Sequence, residues 1–153
     1  MVYLLSSVED EMGFQAPKVC FAEADALPWL PLKDTPGFGG VDIPGIMCKF
    51  FGRENVGPWF YLVKHEPGVV VERHRHEGDV FHYILEGEWS IGTRKFGPGF
   101  MQYEQVGLSY GPLISGPDGS LFLAIYDRAP NFIPAPLADR NTKPDSDYEA
   151  RTA

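Results

Sequence analysis

Cysteine, basic side chains and long apolar runs are all scarce in this chain of 153 residues. Its two cysteines, Cys20 and Cys48, are too few for a disulfide framework or a zinc ribbon, so we expect them to be buried free thiols. Lysine and arginine number 13 against 21 aspartates and glutamates, which gives a formal net charge of -8. Because an acidic surface repels phosphate backbones, this charge argues against binding to nucleic acid.

No apolar stretch approaches the about 20 residues that a membrane-spanning helix needs. The N-terminal residues 1–10 have no basic side chain before their short apolar run, which argues against a secretory signal. We therefore expect a cytoplasmic protein with no membrane partner. The length suits one domain, and a hydrophobic content of 44% is enough for a packed core.

Glycine and proline are plentiful, at 17 and 14 residues, and they interrupt short β-rich runs at fairly even spacing. This pattern predicts an all-β sandwich or barrel with no long helix. The barrel is expected over residues 29–137, preceded by an N-terminal arm, 1–28, and followed by a polar, frayed tail, 138–153. Strands are predicted at 46–51, 59–65, 69–73, 80–85, 88–91, 100–103 and 121–126, with turns at 66–68, 86–87, 97–99 and 116–119. The side chains predicted to face inward are Phe60, Leu62, Val80, Ile84, Met101, Phe122 and Ile125.

A pair of histidines, His74 and His76, is the strongest chemical signal in the sequence. On a strand, residues i and i+2 point to the same side about 6.5 to 7 Å apart, so both rings can reach one cation. Neutral imidazole binds iron, nickel, copper and zinc, so the pair predicts a transition-metal site without naming the metal.

The spacing around this pair resembles the first motif of the cupin family, from Gly68 through both histidines to Gly87. Val80 occupies the position where that motif has a glutamate. The second cupin motif is similar to residues 97–110, with Gln105 in place of a proline and Tyr110 in place of the final histidine. The resemblance implies a double-stranded β-helix, the jelly-roll barrel of cupins, in a single domain.

Within the cupins, the chain resembles the small dioxygenases that cleave a carbon–carbon bond of dihydroxyacetophenone or acetylacetone and that use a three-histidine site. This resemblance covers roughly residues 29–134. It implies one divalent metal per chain, iron first, with zinc or nickel as alternatives. Its blocks are residues 29–32, 73–78, 83–89, 97–100 and 131–133.

Several residues are candidates for the third ligand. His82 lies two residues beyond Val80 and therefore on the same face of its strand. Tyr110 occupies the position of the closing ligand and would bind ferric iron as a phenolate, or else line the cavity as a hydrogen-bonded phenol. We prefer His82. Asp79 and Glu77 are the weaker alternatives from the preceding loop, and Gln102 and Glu104 are candidates to orient a ligand or a bound water.

The remaining charged and imidazole groups near the pair have structural interpretations. His65 precedes a Pro-Gly turn and lacks a second imidazole at i+2, so we place it at a strand end. Arg73 and Arg75 alternate with the histidines, so we expect them on the opposite face in surface ion pairs with Glu72 or Glu77.

Three functions fit these observations. The first is a mononuclear non-haem iron dioxygenase acting on a small diketone or hydroxyaryl ketone. The second is a cupin that binds a metal or a metabolite as a sensor or carrier without turnover, and the third is a purely structural dimerisation body. We expect a homodimer, because jelly-roll sheets leave edges to cover and the proline-rich segment 29–44 is long enough to reach a neighbour.

Overall fold

The computed structural model describes residues 21–53 and 56–135, and within these ranges the protein is built from β-strands and two short 3-10 helices, with no α-helix. The expected all-β jelly-roll fold is therefore confirmed. The 3-10 helices are Ala24–Ala26 and Leu32–Asp34. The strands are β1 Leu30–Pro31, β2 Ile46–Phe51, β3 Trp59–His65, β4 Val70–Val71, β5 His74–Arg75, β6 Val80–Ile91, β7 Arg94–Phe96, β8 Met101–Glu104, β9 Leu113–Tyr126 and β10 Ile133–Pro134.

All strand pairs are antiparallel, and the two longest strands, β6 and β9, pair with each other at the centre of the main sheet. That sheet runs in the order β1-β2-β3-β9-β6-β7, with β4 also on β9 and β8 also on β6. A separate two-stranded ribbon joins β5 to β10. Because β5 carries His74, this ribbon fixes the position of the first histidine.

The register between β6 and β9 shifts on either side of Gly87. This glycine has a φ of 70°, and a Cβ there would overlap the carbonyl oxygen of Gly119 on the facing strand. Only glycine fits such a close backbone approach, which lets β6 bend without ending. The turn predicted at 86–87 is therefore a bulge, and the two strands predicted at 80–85 and 88–91 are one.

The other predicted boundaries are partly confirmed. Strands 46–51 and 59–65 are confirmed at both ends. The turn predicted at 116–119 is wrong, because β9 begins at Leu113 and continues through those residues. The short strand β7 was not predicted. At these positions glycine and proline lie where a strand bends. The sequence alone does not distinguish a bend within a strand from the end of a strand.

The predicted inward face is correct for Val80, Ile84 and Phe122, which are buried. It is wrong for Met101, which is 82% exposed, and for Phe60 and Ile125, which point outward. Leu62 is only half-buried. Along β3 the buried positions alternate with the outward ones, which follows the strand period of two. Since both faces of these strands carry apolar side chains, hydrophobicity could not decide which set faces the core. The buried set on β3 is Trp59, Tyr61, Val63 and His65.

The segment 29–44 packs on its own barrel. Leu32 and Phe38 are buried, and the Phe38 ring lies 5.1 Å from the Tyr61 ring, centroid to centroid. The Tyr61 hydroxyl donates a hydrogen bond to the carbonyl oxygen of Pro36, at 2.6 Å. Gly37, with a φ of 94°, allows this contact because a Cβ there would lie 2.6 Å from the Tyr61 hydroxyl. The segment therefore covers part of its own barrel.

Cys48 is a buried free thiol, as expected, and burial raises the pKa of this thiol to about 12. Cys20, the first 20 residues of the predicted arm and the predicted tail lie outside the described residues. No helix in the described ranges is both long and apolar enough to cross a membrane.

The outer face of the main sheet is unusually apolar. On neighbouring strands β8, β6, β9 and β3, the aligned outward side chains are large and exposed, and the rings of Phe81 and Tyr103 stack at 4.7 Å. Contiguous exposed apolar faces are typical of interaction surfaces. We call this surface the outer apolar face; it consists of Phe60, Phe81, Tyr83, Met101, Tyr103 and Ile125.

We expect the outer apolar face to mediate a homodimer of the 17.1 kDa chain. A Phe81→Lys, Tyr103→Lys double variant should be monomeric, because four buried charges would replace two stacked pairs at a symmetric interface. Light scattering over a range of concentrations measures the mass. Val70→Lys is the matched control, since Val70 is 44% exposed on β4 and lies outside this face. A wild-type mass equal to that of one chain at every concentration would contradict the expectation.

Candidate metal centre in the barrel

A cavity of about 460 Å³, including the open space at its mouth, lies inside the barrel. All four histidines of the chain border it, together with Tyr110 and Tyr126. Its other walls are apolar and include Leu32 and Phe38 from the covering segment. This lining is of the kind found in small-molecule sites, which are mostly apolar with a few converging polar groups.

Backbone pairing places Tyr110 directly beside His74. The two residues exchange both of their backbone hydrogen bonds, His74 N to Tyr110 O at 3.0 Å and Tyr110 N to His74 O at 2.8 Å. Directly opposed residues of an antiparallel pair project to the same side. The Tyr110 hydroxyl accordingly lies 2.9 Å from His74 Nε2 and 3.4 Å from His76 Nε2.

The backbone also fixes the tautomer of each histidine. His74 Nδ1 donates to the carbonyl oxygen of Glu72 at 2.7 Å, and His76 Nδ1 donates to that of Asn131 at 3.1 Å. A carbonyl oxygen only accepts, so each Nδ1 carries the proton and each neutral Nε2 presents a lone pair. The two Nε2 atoms lie only 3.1 Å apart.

This arrangement suits a shared cation. Two lone pairs at that separation repel each other unless a cation or a proton lies between them, and the single hydroxyl proton of Tyr110 can satisfy only one. A metal with bonds of about 2.1 Å and angles of 90 to 110° separates its ligand atoms by about 3.0 to 3.4 Å. The three distances among His74 Nε2, His76 Nε2 and the Tyr110 hydroxyl, 2.9, 3.1 and 3.4 Å, fit one face of such a coordination sphere.

Burial keeps this pair of imidazoles neutral. It lowers the pKa of His74 to about 3, and the charge of His76 lowers it further. Burial also lowers the pKa of His76, although the nearby Glu104 carboxylate opposes that shift. Neutral imidazole is the form that binds a metal. The stacked ring of Phe132, 3.8 Å from that of His74, holds the first imidazole in place.

His82 is buried in the same cavity but in a different group. It lies on β6 between Val80 and Ile84, the three of them facing inward. Its Nδ1 lies 3.3 Å from an oxygen of Glu104, which is buried on the neighbouring strand β8. Among the residues that the structure describes, no three His, Cys, Asp or Glu side chains converge on one point. The oxygen atom that lies beside both histidine nitrogens is the hydroxyl of Tyr110.

The other candidates lie around the cavity as follows. Val80 is fully buried, and Gln102 donates a hydrogen bond to Glu104. Asp79 is on the outside, where its carboxylate accepts hydrogen bonds from the Val106 N–H and the Tyr103 hydroxyl, at 2.8 and 2.9 Å. Glu77 accepts one from the side chain of Asn131 in an exposed position. Neither loop carboxylate joins the histidines.

Two sequence interpretations need correction. His65 does end β3, but it is only 5% exposed and borders the cavity, because it continues the inward alternation of that strand. That alternation was the signal that could have revealed it. Arg73 is buried rather than on the surface, and its guanidinium donates to the carbonyl oxygen of Gly111 at 3.4 Å. Sequence reasoning also gave no role to Phe132 or to the carbonyl of Asn131, whose contacts depend on the distant pairing of β5 with β10.

An antiparallel jelly-roll barrel with a His-x-His pair facing its interior is typical of cupins. The chain belongs to the family of ChrR cupin-like domains, whose model matches residues 18–127. No curated protein matches the chain.

Solved structures with the same fold have varied functions. The chain is similar to the polyketide cyclase RemF from Streptomyces resistomycificus, with a TM-score of 0.58, 17% identity and coverage of 80% of this chain and 89% of that one. It is similar to an acetylacetone dioxygenase from Acinetobacter johnsonii, with a TM-score of 0.51, 15% identity and coverage of 74% and 75%. It is also similar to the anti-sigma factor ChrR, solved with SigE from Rhodobacter sphaeroides, with a TM-score of 0.52, 19% identity and coverage of 69% and 52%. At these identities the likeness establishes the fold alone.

We expect the stability of the metal-free protein to fall as the pH drops from about 6.5 toward about 3. Burial lowers the pKa of His65 to about 3, so in this window the unfolded chain binds a proton that the folded chain does not. Each such group lowers the free energy of unfolding by up to about 1.4 kcal/mol per pH unit as the pH decreases. Urea unfolding at several pH values, with and without His65→Gln, measures the slope. In the variant, the free energy of unfolding should change less steeply with pH, by the contribution of about one proton. An identical slope in the two proteins would contradict the prediction.

Proposed function

We propose that this cupin binds one divalent transition metal, preferably iron, through His74 Nε2 and His76 Nε2, with the Tyr110 hydroxyl as the third donor. The observation that carries the proposal is the pair of imidazole lone pairs held 3.1 Å apart, each ring fixed by a backbone carbonyl. Such outer contacts are what orient histidine ligands in metalloproteins. We propose Tyr110 in preference to His82 because its hydroxyl lies within 3.4 Å of both nitrogens.

We further propose that the metal site serves a dioxygenase-like enzyme that cleaves a carbon–carbon bond of a small diketone or hydroxyaryl ketone in the cytoplasm. A metal at this position supplies a Lewis acid that polarises a carbonyl oxygen. The chain itself supplies a mostly apolar cavity that holds the rest of the substrate and excludes water. The similarity to an acetylacetone dioxygenase supports this substrate class.

Metal content tests the site. The purified or ferrous-reconstituted protein should hold close to one metal per chain, and a His74→Ala, His76→Ala double variant should hold almost none, because two of its three donors are gone. Elemental analysis measures both. His65→Gln is the control, since that imidazole borders the same cavity without joining the pair. Equal metal content in the double variant and the wild type would eliminate the site.

Tyr110→Phe tests the third donor in the same preparation. If Tyr110 binds ferric iron as a phenolate, the oxidised protein has a visible charge-transfer band that this variant abolishes. The variant removes one oxygen from a buried group and leaves the packing of the ring intact. A colourless ferric protein with full metal content, together with metal loss in His82→Ala, would reassign the third position to His82.

A second candidate is a cupin that binds a metal or metabolite as a sensor or carrier without turnover. Two observations favour it: the family is named for the cupin-like domain of ChrR, and a phenol stands where a third histidine is usual in the dioxygenase branch. In this case the cavity would bind the same ligands but release them unchanged.

Oxygen consumption separates the two functions. After ferrous reconstitution, aerobic incubation with acetylacetone or dihydroxyacetophenone should consume oxygen in proportion to the substrate cleaved if the protein is an enzyme. The His74→Ala, His76→Ala variant, treated in the same way, gives the background. Binding of these compounds, measured by calorimetry, without oxygen uptake above that background would favour the sensor or carrier.

A further inference from the structure

A second polar group, separate from the histidine pair, lies inside the barrel. It consists of the His82 imidazole and the Glu104 carboxylate, which are 6% and 4% exposed. Register brings them together: Glu104 opposes Val80 and Gln102 opposes His82, so His82 and Glu104 are diagonal neighbours on adjacent strands and both face inward. Two ionisable side chains so deeply buried are rare without a function.

The geometry gives the two ring nitrogens of His82 different surroundings. Nδ1 lies 3.3 Å from Glu104 Oε1, an ion-pair distance that is not aligned as a hydrogen bond. Nε2 is buried and has no hydrogen-bond partner. His82 borders the cavity, whereas Glu104 does not, so the carboxylate lies behind the ring. A carboxylate in this position favours the Nδ1–H tautomer and leaves a lone pair on Nε2.

The two polar groups share the cavity. The ring of Tyr126 contacts both imidazoles, with centroids 5.2 Å from His76 and 6.3 Å from His82. Electrostatic coupling connects the groups as well, since the charge of His82 lowers the pKa of His76 and that of Glu104 raises it. A small ligand held at the histidine pair would therefore lie in the same cavity as the His82 ring.

We propose that His82, positioned by Glu104, is a catalytic base that accepts a proton from an enolisable ketone bound at the histidine pair. This inference rests on the proposed metal site and deepens it, because it restricts the ligand to carbonyl compounds with an acidic C–H next to the carbonyl. Glu104 acts through His82 and is a positioning residue.

The step balances within the chain and the ligand. The C–H bond next to the carbonyl breaks, and its electron pair becomes part of the enolate, whose oxygen faces the histidine pair. The proton forms a new N–H bond at His82 Nε2. The resulting imidazolium is stabilised by the negative charge of Glu104, and no oxidant or reductant takes part. A positioned base of this kind contributes about 10²- to 10⁴-fold in rate.

Hydrogen exchange tests the step apart from oxygen chemistry. The zinc-loaded protein is incubated under argon in D₂O with dihydroxyacetophenone, whose methylene signal is followed by NMR; zinc has no redox chemistry of its own. The wild type should accelerate exchange, and His82→Gln should reduce this acceleration by about 100-fold or more at unchanged zinc content. Val70→Lys, a substitution on the exposed side of β4 and outside the cavity, should stay within about twofold of the wild type.

Glu104→Gln provides a second variant in case His82→Gln fails to fold. It should lower the rate constant at saturating ketone by about 10-fold and leave the KM within about twofold, since the carboxylate does not border the cavity. A role in packing alone would instead lower zinc content or raise the KM.

Three results would overturn the proposal. The first is exchange at the wild-type rate in His82→Gln with full zinc content. The second is zinc loss in His82→Gln, which would make His82 a ligand. The third is a zinc-loaded wild type that exchanges the ketone no faster than buffer; in that case the full zinc content would still support the metal site. A wild type that binds no zinc or iron would instead refute the proposed function itself.

Discussion

The cavity depends on one constraint, the fixed orientation of two imidazoles whose accepting nitrogens face each other at 3.1 Å. Each ring is held at Nδ1 by a backbone carbonyl, so neither can rotate away without breaking a partly buried hydrogen bond. Those carbonyls come from Glu72, just before β5, and from Asn131, just before β10. The pairing of β5 with β10 and the backbone bridge from His74 to Tyr110 thus hold the two imidazoles in this geometry.

Local pattern was enough to predict the fold class, the strands β2 and β3 and the histidine pair. The pair is recognisable because the i, i+2 relation on a strand guarantees a common side, whatever the rest of the chain does. Tyr110 and Glu104 are different cases, because their neighbours are set by register between distant strands. The prediction that His82 faces the cavity used the correct face of β6, and its role as third ligand stays a prediction.

The direction of apolar side chains was the least predictable feature. On β3, β6 and β9 both faces carry large apolar residues. Buried and exposed positions therefore alternate along these strands, whereas apolar and polar residues hardly do. Met101 and Gln102 illustrate the result: the apolar residue is exposed, and its polar neighbour faces inward beside His82. A polar residue inside a cupin barrel marks the cavity more reliably than an apolar one marks the core, because burial of a polar group is tolerated only with a partner. The cupin fold hosts a cyclase, a dioxygenase and an anti-sigma factor, so the arrangement of such groups, rather than the barrel, determines function.

The segment 29–44, which covers part of the barrel, has a consequence for kinetics. Leu32 and Phe38 are buried and form part of the cavity wall. The wall on that side is therefore formed by a segment with little regular secondary structure. The segment is tethered at its start by the cation–π contact of Lys49 with Trp29 and at its middle by the Tyr61 hydroxyl bond. A molecule that enters from this side must wait for those contacts to open. Its observed association rate would then level off at high concentration, at the opening rate of the segment, instead of rising with diffusion.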